Sequence, residues 1–149
     1  MQRGLWMSVL VGLLAVAGCT SPSGDDGLLP VSGTIKLDGT PTANVSVVFI
    51  PQGSTSGHGG SGVTDASGQY QLMSPHGKKG LPPGDYKVSV SRRLNPDGST
   101  PAPNEMPIES QARETLPLKY SDKEKTELTA KLTADDKKTF DFDLRTKSK

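Results

Sequence analysis

Pro82-Pro83-Gly84-Asp85-Tyr86-Lys87-Val88-Ser89-Val90-Ser91 is the stretch that decides the fold. A Pro-Pro-Gly turn launches a run in which Tyr86, Val88 and Val90 alternate with polar residues. A period of two places those three side chains on one face of a strand, and their apolarity makes it the core face. Tyr86 is expected to bury its ring there and to give its hydroxyl to a backbone carbonyl at the sheet edge.

The same signals recur on either side. Val31 to Leu37 is β-prone and stops at Asp38-Gly39, a hairpin dipeptide. Val45 to Ile50 is strongly apolar and ends at Pro51, which cannot donate to a central ladder. Residues 52–62 read as a flexible Gly/Ser loop. Gly62 to Thr64 and Gln69 to Met73 flank Asp65-Ala66-Ser67-Gly68 and read as a hairpin. Downstream, residues 94–119 lack periodicity and contain Pro96, Pro101, Pro103, Pro107 and Pro117, which predicts a long irregular excursion. Glu127 to Thr133 alternates, and Asp135-Asp136 marks a turn. Thr139 to Arg145 then alternates with Phe140, Phe142 and Leu144 on one face. Ser121 to Glu124 matches a capping box, enough for one helical turn. The expectation is an all-β domain over 30–145, a single seven-stranded antiparallel sandwich, with a frayed basic tail at 146–149.

Composition agrees with a turn-rich β domain: 17 glycines and 12 prolines in 149 residues. Seventeen Lys and Arg oppose sixteen Asp and Glu. Arg3 is the one charged residue among the first eighteen, so the remainder is formally neutral. A neutral domain lacks the basic face that nucleic acid requires, and no nucleic-acid partner is expected. It also lacks a polybasic patch for anionic headgroups. One cysteine cannot close an internal disulfide.

Residues 1–18 have the three parts of an export signal: a positive start at Arg3, an uncharged apolar run from Leu5 to Ala17, and small residues at its end. The run is shorter than the roughly 20 residues that span a bilayer. Trp6, the lone tryptophan, lies within it. Val16-Ala17-Gly18-Cys19 resembles the bacterial lipobox, an aliphatic residue and two small ones before the cysteine. A thiolate is the strongest nucleophile available for alkylation by a lipid donor. The resemblance implies a diacylglyceryl thioether at Cys19, cleavage before it, and fatty acylation (palmitate or similar) of the new amine. The expected partner is therefore a membrane, reached through the anchor at Cys19. Thr20, where an inner-membrane retention signal would carry Asp, points to the outer membrane. Residues 19–29, including Asp25 and Asp26, read as a flexible polar tether.

Several elements form an ordered set: Val31-x-Gly33-x-Ile35, Asp38-Gly39-x-Pro41, Val45-x-Val47-x-Phe49-x-Pro51, Thr64-Asp65-x-x-Gly68-x-Tyr70, and Pro83-Gly84-x-Tyr86-x-Val88-x-Val90. The set resembles the carboxypeptidase-regulatory-like, or transthyretin-like, β-sandwich module. With Pro117-x-Lys119-Tyr120 before the last strands, the chain is similar to small lipoproteins common in planctomycete genomes. The resemblance implies an accessory, adhesive or spacer role. It carries no shared catalytic residues, and the zinc protease that gives the family its name is a separate domain.

Catalytic signatures are missing from the sequence: no nucleophile elbow, Ser-x-x-Lys, P-loop or Rossmann glycine pattern. Asn44-Val45-Ser46 matches a glycosylation sequon, which has no role in a bacterial lipoprotein. Gly57-His58-Gly59-Gly60 looks like an oxyanion-hole loop but has no triad order to accompany it. A zinc site needs about four ligands. His58 and His76 are the chain's two histidines, both in Gly-rich loops, and are expected to be surface residues. Asp38, Asp65, Asp97 and Asp135-Asp136 sit in turns, where Asp is favoured for its own backbone hydrogen bonds, and no EF-hand spacing joins them. No metal, cofactor or catalytic residue is assigned. The expectation is a non-enzymatic structural or binding module of the cell envelope, its partner a protein or glycan. The alternative is a small metal-dependent or enzymatic envelope protein with a site in 94–119 or 52–62.

Overall fold

The structure, a computed structural model, describes residues 27–102, 104–106, 108–135 and 138–146. The leader, Val16, Ala17, Gly18 and Cys19, most of the tether with Asp25 and Asp26, Asp136, and residues 147–149 lie outside the described residues.

Ten strands form among the described residues, the longer ones from alternating apolar residues. β1 (Ser32–Leu37) turns through Asp38-Gly39 into β2 (Thr40–Pro41). β3 (Ser46–Pro51), β4 (Gly60–Val63), β5 (Gln69–Gln71) and β6 (Gly84–Ser91) follow. β7 (Arg93–Leu94) and β8 (Arg113–Glu114) pair with each other. A helical turn, α1 (Leu118–Ser121), precedes β9 (Thr129–Leu132) and β10 (Phe142–Leu144).

Two four-stranded sheets face each other across one core. One is antiparallel throughout, in the order β4-β3-β6-β9. Its register puts Val47 opposite Val90, Phe49 opposite Val88, and Tyr86 opposite Ala130, so each directly opposed pair presents apolar groups to the same face. The other sheet has the order β10-β1-β2, with β5 also on β1. Its core side chains are Ile35, Leu37, Tyr70 and Leu144, with Phe140 and Phe142 packed against them. Phe49 packs on Tyr86 and on Phe140 at ring-centroid distances of 5.9 and 5.8 Å, joining the two sheets.

The β class, the sandwich and the core alternation agree with the sequence reading. Four details differ. Among the described residues there are ten strands rather than seven, because two-residue strands such as β2, β7 and β8 are too short for periodicity to register. The sandwich is not wholly antiparallel: β10 lies parallel to β1, with Ile35 opposite Phe142 and Leu37 opposite Leu144. β9 and β10 belong to different sheets, and β10 lies beside β1 in the same direction.

The segment around Asp65–Gly68 is an arch rather than a simple hairpin. β4 pairs with β3 and β5 with β1, so the turn joins opposite sheets. Ser61 and Met73 bridge its two arms, each donating its N–H to the other's carbonyl (3.0 and 2.9 Å). The helical turn stands one turn earlier than the capping box: Pro117 opens it, and Asp122, in extended backbone, ends it. The Asp122 Oδ1 then accepts from the N–H groups of Glu124 and Lys125. This segment covers the outer face of β6, where Ser89 Oγ donates to Ser121 O (3.0 Å) and Lys87 Nζ to Glu124 O (3.1 Å).

Candidate functional site

One end of the sandwich carries the loops that leave β3 and enter β6, and a glycine-rich backbone fixes both. In the first, residues 52–59, Thr55 N donates to Gln52 O. The Thr55 hydroxyl donates to Asp85 O (3.1 Å) and accepts from Asp85 N (2.9 Å). The expected flexible loop is thus braced on the start of β6. His58 sits between Gly57 and Gly59, whose φ angles are 85° and 74°. A Cβ on Gly59 would lie 2.0 Å from Phe49 O, so only glycine fits against that strand.

In the second loop, Ser74 N donates to Lys78 O and Gly77 N to Ser74 O, closing a turn around Pro75 and His76. Gly77 takes a positive φ of 74° to do so. Leu29 and Leu81 exchange two backbone hydrogen bonds, 2.8 and 2.9 Å, which bring Leu28 to the same place.

These turns put the two histidines together. The imidazole centroids of His58 and His76 are 6.4 Å apart, with the rings inclined at 70°. Both side chains are exposed, and they line a cleft of about 300 Å³ walled by Leu28, Pro75 and Pro82. Seventeen residues separate them in sequence, and periodicity carries no information about loop-to-loop contact, so the pairing was invisible to the sequence reading. The surface placement was anticipated; the juxtaposition was not.

The acidic turn residues are dispersed, and Asp65, Asp97 and Asp122 are occupied with their own turns. Asp65 Oδ1 accepts from Ser67 Oγ (2.7 Å), Ser67 N (2.9 Å) and Gln69 N (3.0 Å). The Ser67 hydroxyl first, then the Gln69 amide, hold its carboxyl below the ordinary range. Asp97 does the same with Ser99, whose hydroxyl is the main cause of its lowered value. Asp122 is lowered chiefly by the Glu124 amide. Asp38 accepts from the amide and hydroxyl of Thr146. Among the described residues, no three His, Cys, Asp or Glu side chains converge as a metal site.

The 94–119 excursion is tied down at its base. Glu114 accepts from Arg92 N, Leu116 N and the Ser91 hydroxyl, and Arg93 Nη2 donates to Ala112 O (2.7 Å). Its outer part forms an open cleft of about 380 Å³ flanked by Asp97, Glu105 and Glu109. Glu105 Oε2 accepts from Ala102 N, so this carboxylate too serves the local backbone.

No protein-family model matches the chain, and no curated protein matches it. A solved structure that is similar is a 9R-lipoxygenase from Cyanothece PCC8801, at a TM-score of 0.37 and 21% identity, over 80% of this chain. The similar region spans 16% of the lipoxygenase chain.

Proposed function

We propose that this chain is a lipid-anchored module of the bacterial cell envelope, held at the membrane through Cys19, and that its sandwich serves as structure or binds an envelope protein or glycan. The observation that carries the reading is Val16-Ala17-Gly18-Cys19 at the end of the apolar run Leu5 to Ala17. Each buried CH₂ of an acyl chain contributes about 0.8 kcal/mol, and two chains give stable anchoring. The outer membrane is the proposed location, on the strength of Thr20. The transthyretin-like resemblance supports an accessory, adhesive or spacer role.

The fold suits such a tether. The ten residues from Cys19 to Leu29 reach at most about 35 Å when extended. Leu29 is fixed to Leu81 at the end that holds the His58–His76 cleft, so a tether from Cys19 would join the domain at that end. One observation favours the second reading, a metal-dependent envelope protein with its site in the 52–62 loop: the meeting of His58 with His76.

Expression of the full chain in a bacterium fed an alkyne fatty acid tests the proposal. The wild type is expected to take the label, shorten by the leader, and sediment with membranes. Cys19→Ser is expected to remain unlabelled and unprocessed. A labelled Cys19→Ser protein, or an unlabelled wild type in the soluble fraction, overturns the reading. Crosslinking in intact envelopes then identifies the partner.

A further inference from the structure

We propose that His58 and His76 form a two-imidazole site for copper(II). The proposal goes beyond the anchoring reading and does not depend on whether Cys19 carries lipid. The chain has two histidines, on different loops, and the fold delivers both to one cleft with ring centroids 6.4 Å apart. With metal–nitrogen bonds of about 2.0 Å, two imidazoles on one ion have centroids at most roughly 6 Å apart. The observed separation lies just beyond that limit, which two imidazoles reach only when trans to each other, so both rings must rotate about their side-chain bonds to aim a nitrogen at one ion. The backbone carrying them is held: Gly59 abuts the Phe49 carbonyl, and the Ser74–Lys78 turn closes around His76. Little loop entropy remains to be lost on binding.

The donor set selects the metal. Calcium and magnesium take oxygen ligands, and a closed structural zinc site takes four protein ligands. Two imidazoles with solvent completing a tetragonal plane suit copper(II), which also stands highest in the affinity order of the divalent first-row metals. The cleft is open enough for those water ligands, and Leu28, Pro75, Lys78 and Pro82 line it beside the two histidines.

The test uses the full chain carrying Cys19→Ser, so that no thiol competes for copper, and without a histidine tag. Copper(II) is titrated against glycine as a competing chelator, and the bound ion is examined by electron paramagnetic resonance and by electron spin echo modulation. One tight copper(II) per chain is expected, with the modulation pattern of two imidazoles. His58→Ala and His76→Ala should each weaken binding by about a hundred-fold, the loss expected when a chelate becomes a single attachment. Zinc(II) should bind more weakly than copper(II). If the double variant binds as tightly as the parent, or one histidine can be removed without effect, the site is wrong. A one-imidazole spectrum of the parent protein overturns it equally, even if a variant fails to fold.

Discussion

The hydroxyl of Tyr70 donates a 2.8 Å hydrogen bond to the carbonyl oxygen of Phe140, seventy residues further along the chain. Between them lies Gly33: a Cβ there would stand 1.8 Å from the same carbonyl oxygen and 2.9 Å from Tyr70 Cε1. β5, β1 and the approach to β10 are thus locked at one point, where a missing side chain makes room for a tyrosine to reach across the middle strand.

Tyr70 makes stability fall in alkali. Burial first, and the charge of Asp141 second, raise its hydroxyl well above its ordinary value of 10.0. The folded state therefore holds the proton after the unfolded chain has released it. Its contribution is fully present below about pH 10 and is lost as pH rises through the folded value. Burial raises Tyr86 in the same direction. Urea midpoints followed upward from pH 9 should drop above about pH 10, and drop less steeply in Tyr70→Phe. Equal slopes in the two proteins would show that Tyr70 ionises as freely folded as unfolded.

Gly33→Ala should be the costlier of two glycine substitutions. The added methyl meets backbone, which cannot rotate away, and the loss should reach about 3 kcal/mol or more, the upper end for overpacking. Gly39 has φ 83° but nothing within 4 Å of its would-be Cβ, so Gly39→Ala should cost only the left-handed backbone penalty of about 1–2 kcal/mol. Thermal melts of the two variants rank them; the reverse order would contradict the packing at β1.

The sequence predicted the face of β6, and the structure places Tyr86 at 1% exposure, its hydroxyl 2.7 Å from Pro82 O. Tyr86→Ala should therefore destabilise by about 3–5 kcal/mol. Tyr86→Phe should lose about 1 kcal/mol, the worth of the hydrogen bond. Lys87→Ala, on the outer face, should lose no more than about 1 kcal/mol, the worth of its exposed bond to Glu124 O. Urea unfolding of the three distinguishes a core tyrosine from one that merely suits a strand.

Thr64 is a buried polar link. Its Oγ1 accepts from Val45 N (2.9 Å) and donates to Thr42 O (2.7 Å). Thr64→Val keeps the shape and orphans that N–H, at a cost of about 1–3 kcal/mol. Thr64→Ser retains both bonds and should lose about 0.8 kcal/mol, one buried carbon. Denaturation of the pair checks the sign; a Ser variant weaker than the Val variant would mean that packing, not hydrogen bonding, governs the site.

Strand faces were legible where alternation ran long enough to count, as at Tyr86-Val88-Val90 and Phe140-Phe142-Leu144. Which sheet receives a strand was not. Asp65–Gly68 has the chemistry of a tight turn, and the Asp65 carboxylate does cap it, but turn chemistry is local and cannot report that β4 and β5 part company on either side. The same limit hid the base of the 94–119 excursion, where Glu114 gathers four neighbouring donors, and the His58–His76 pair. Each arises from residues brought together by the path of the chain between them, which leaves no periodic mark.

The parallel pairing of β1 with β10 also sets a timetable. A chain that emerges N-terminus first, from a ribosome or an export pore, presents Ser32–Leu37 long before Phe142–Leu144. At roughly 5–20 residues per second of synthesis, the edge of β1 waits on the order of 6–22 s for its final neighbour. Until then its N–H and C=O groups are a free template for any extended segment, including β10 of another copy. Vectorial delivery thus makes exchange of the last strand between two nascent chains the characteristic folding error of this topology.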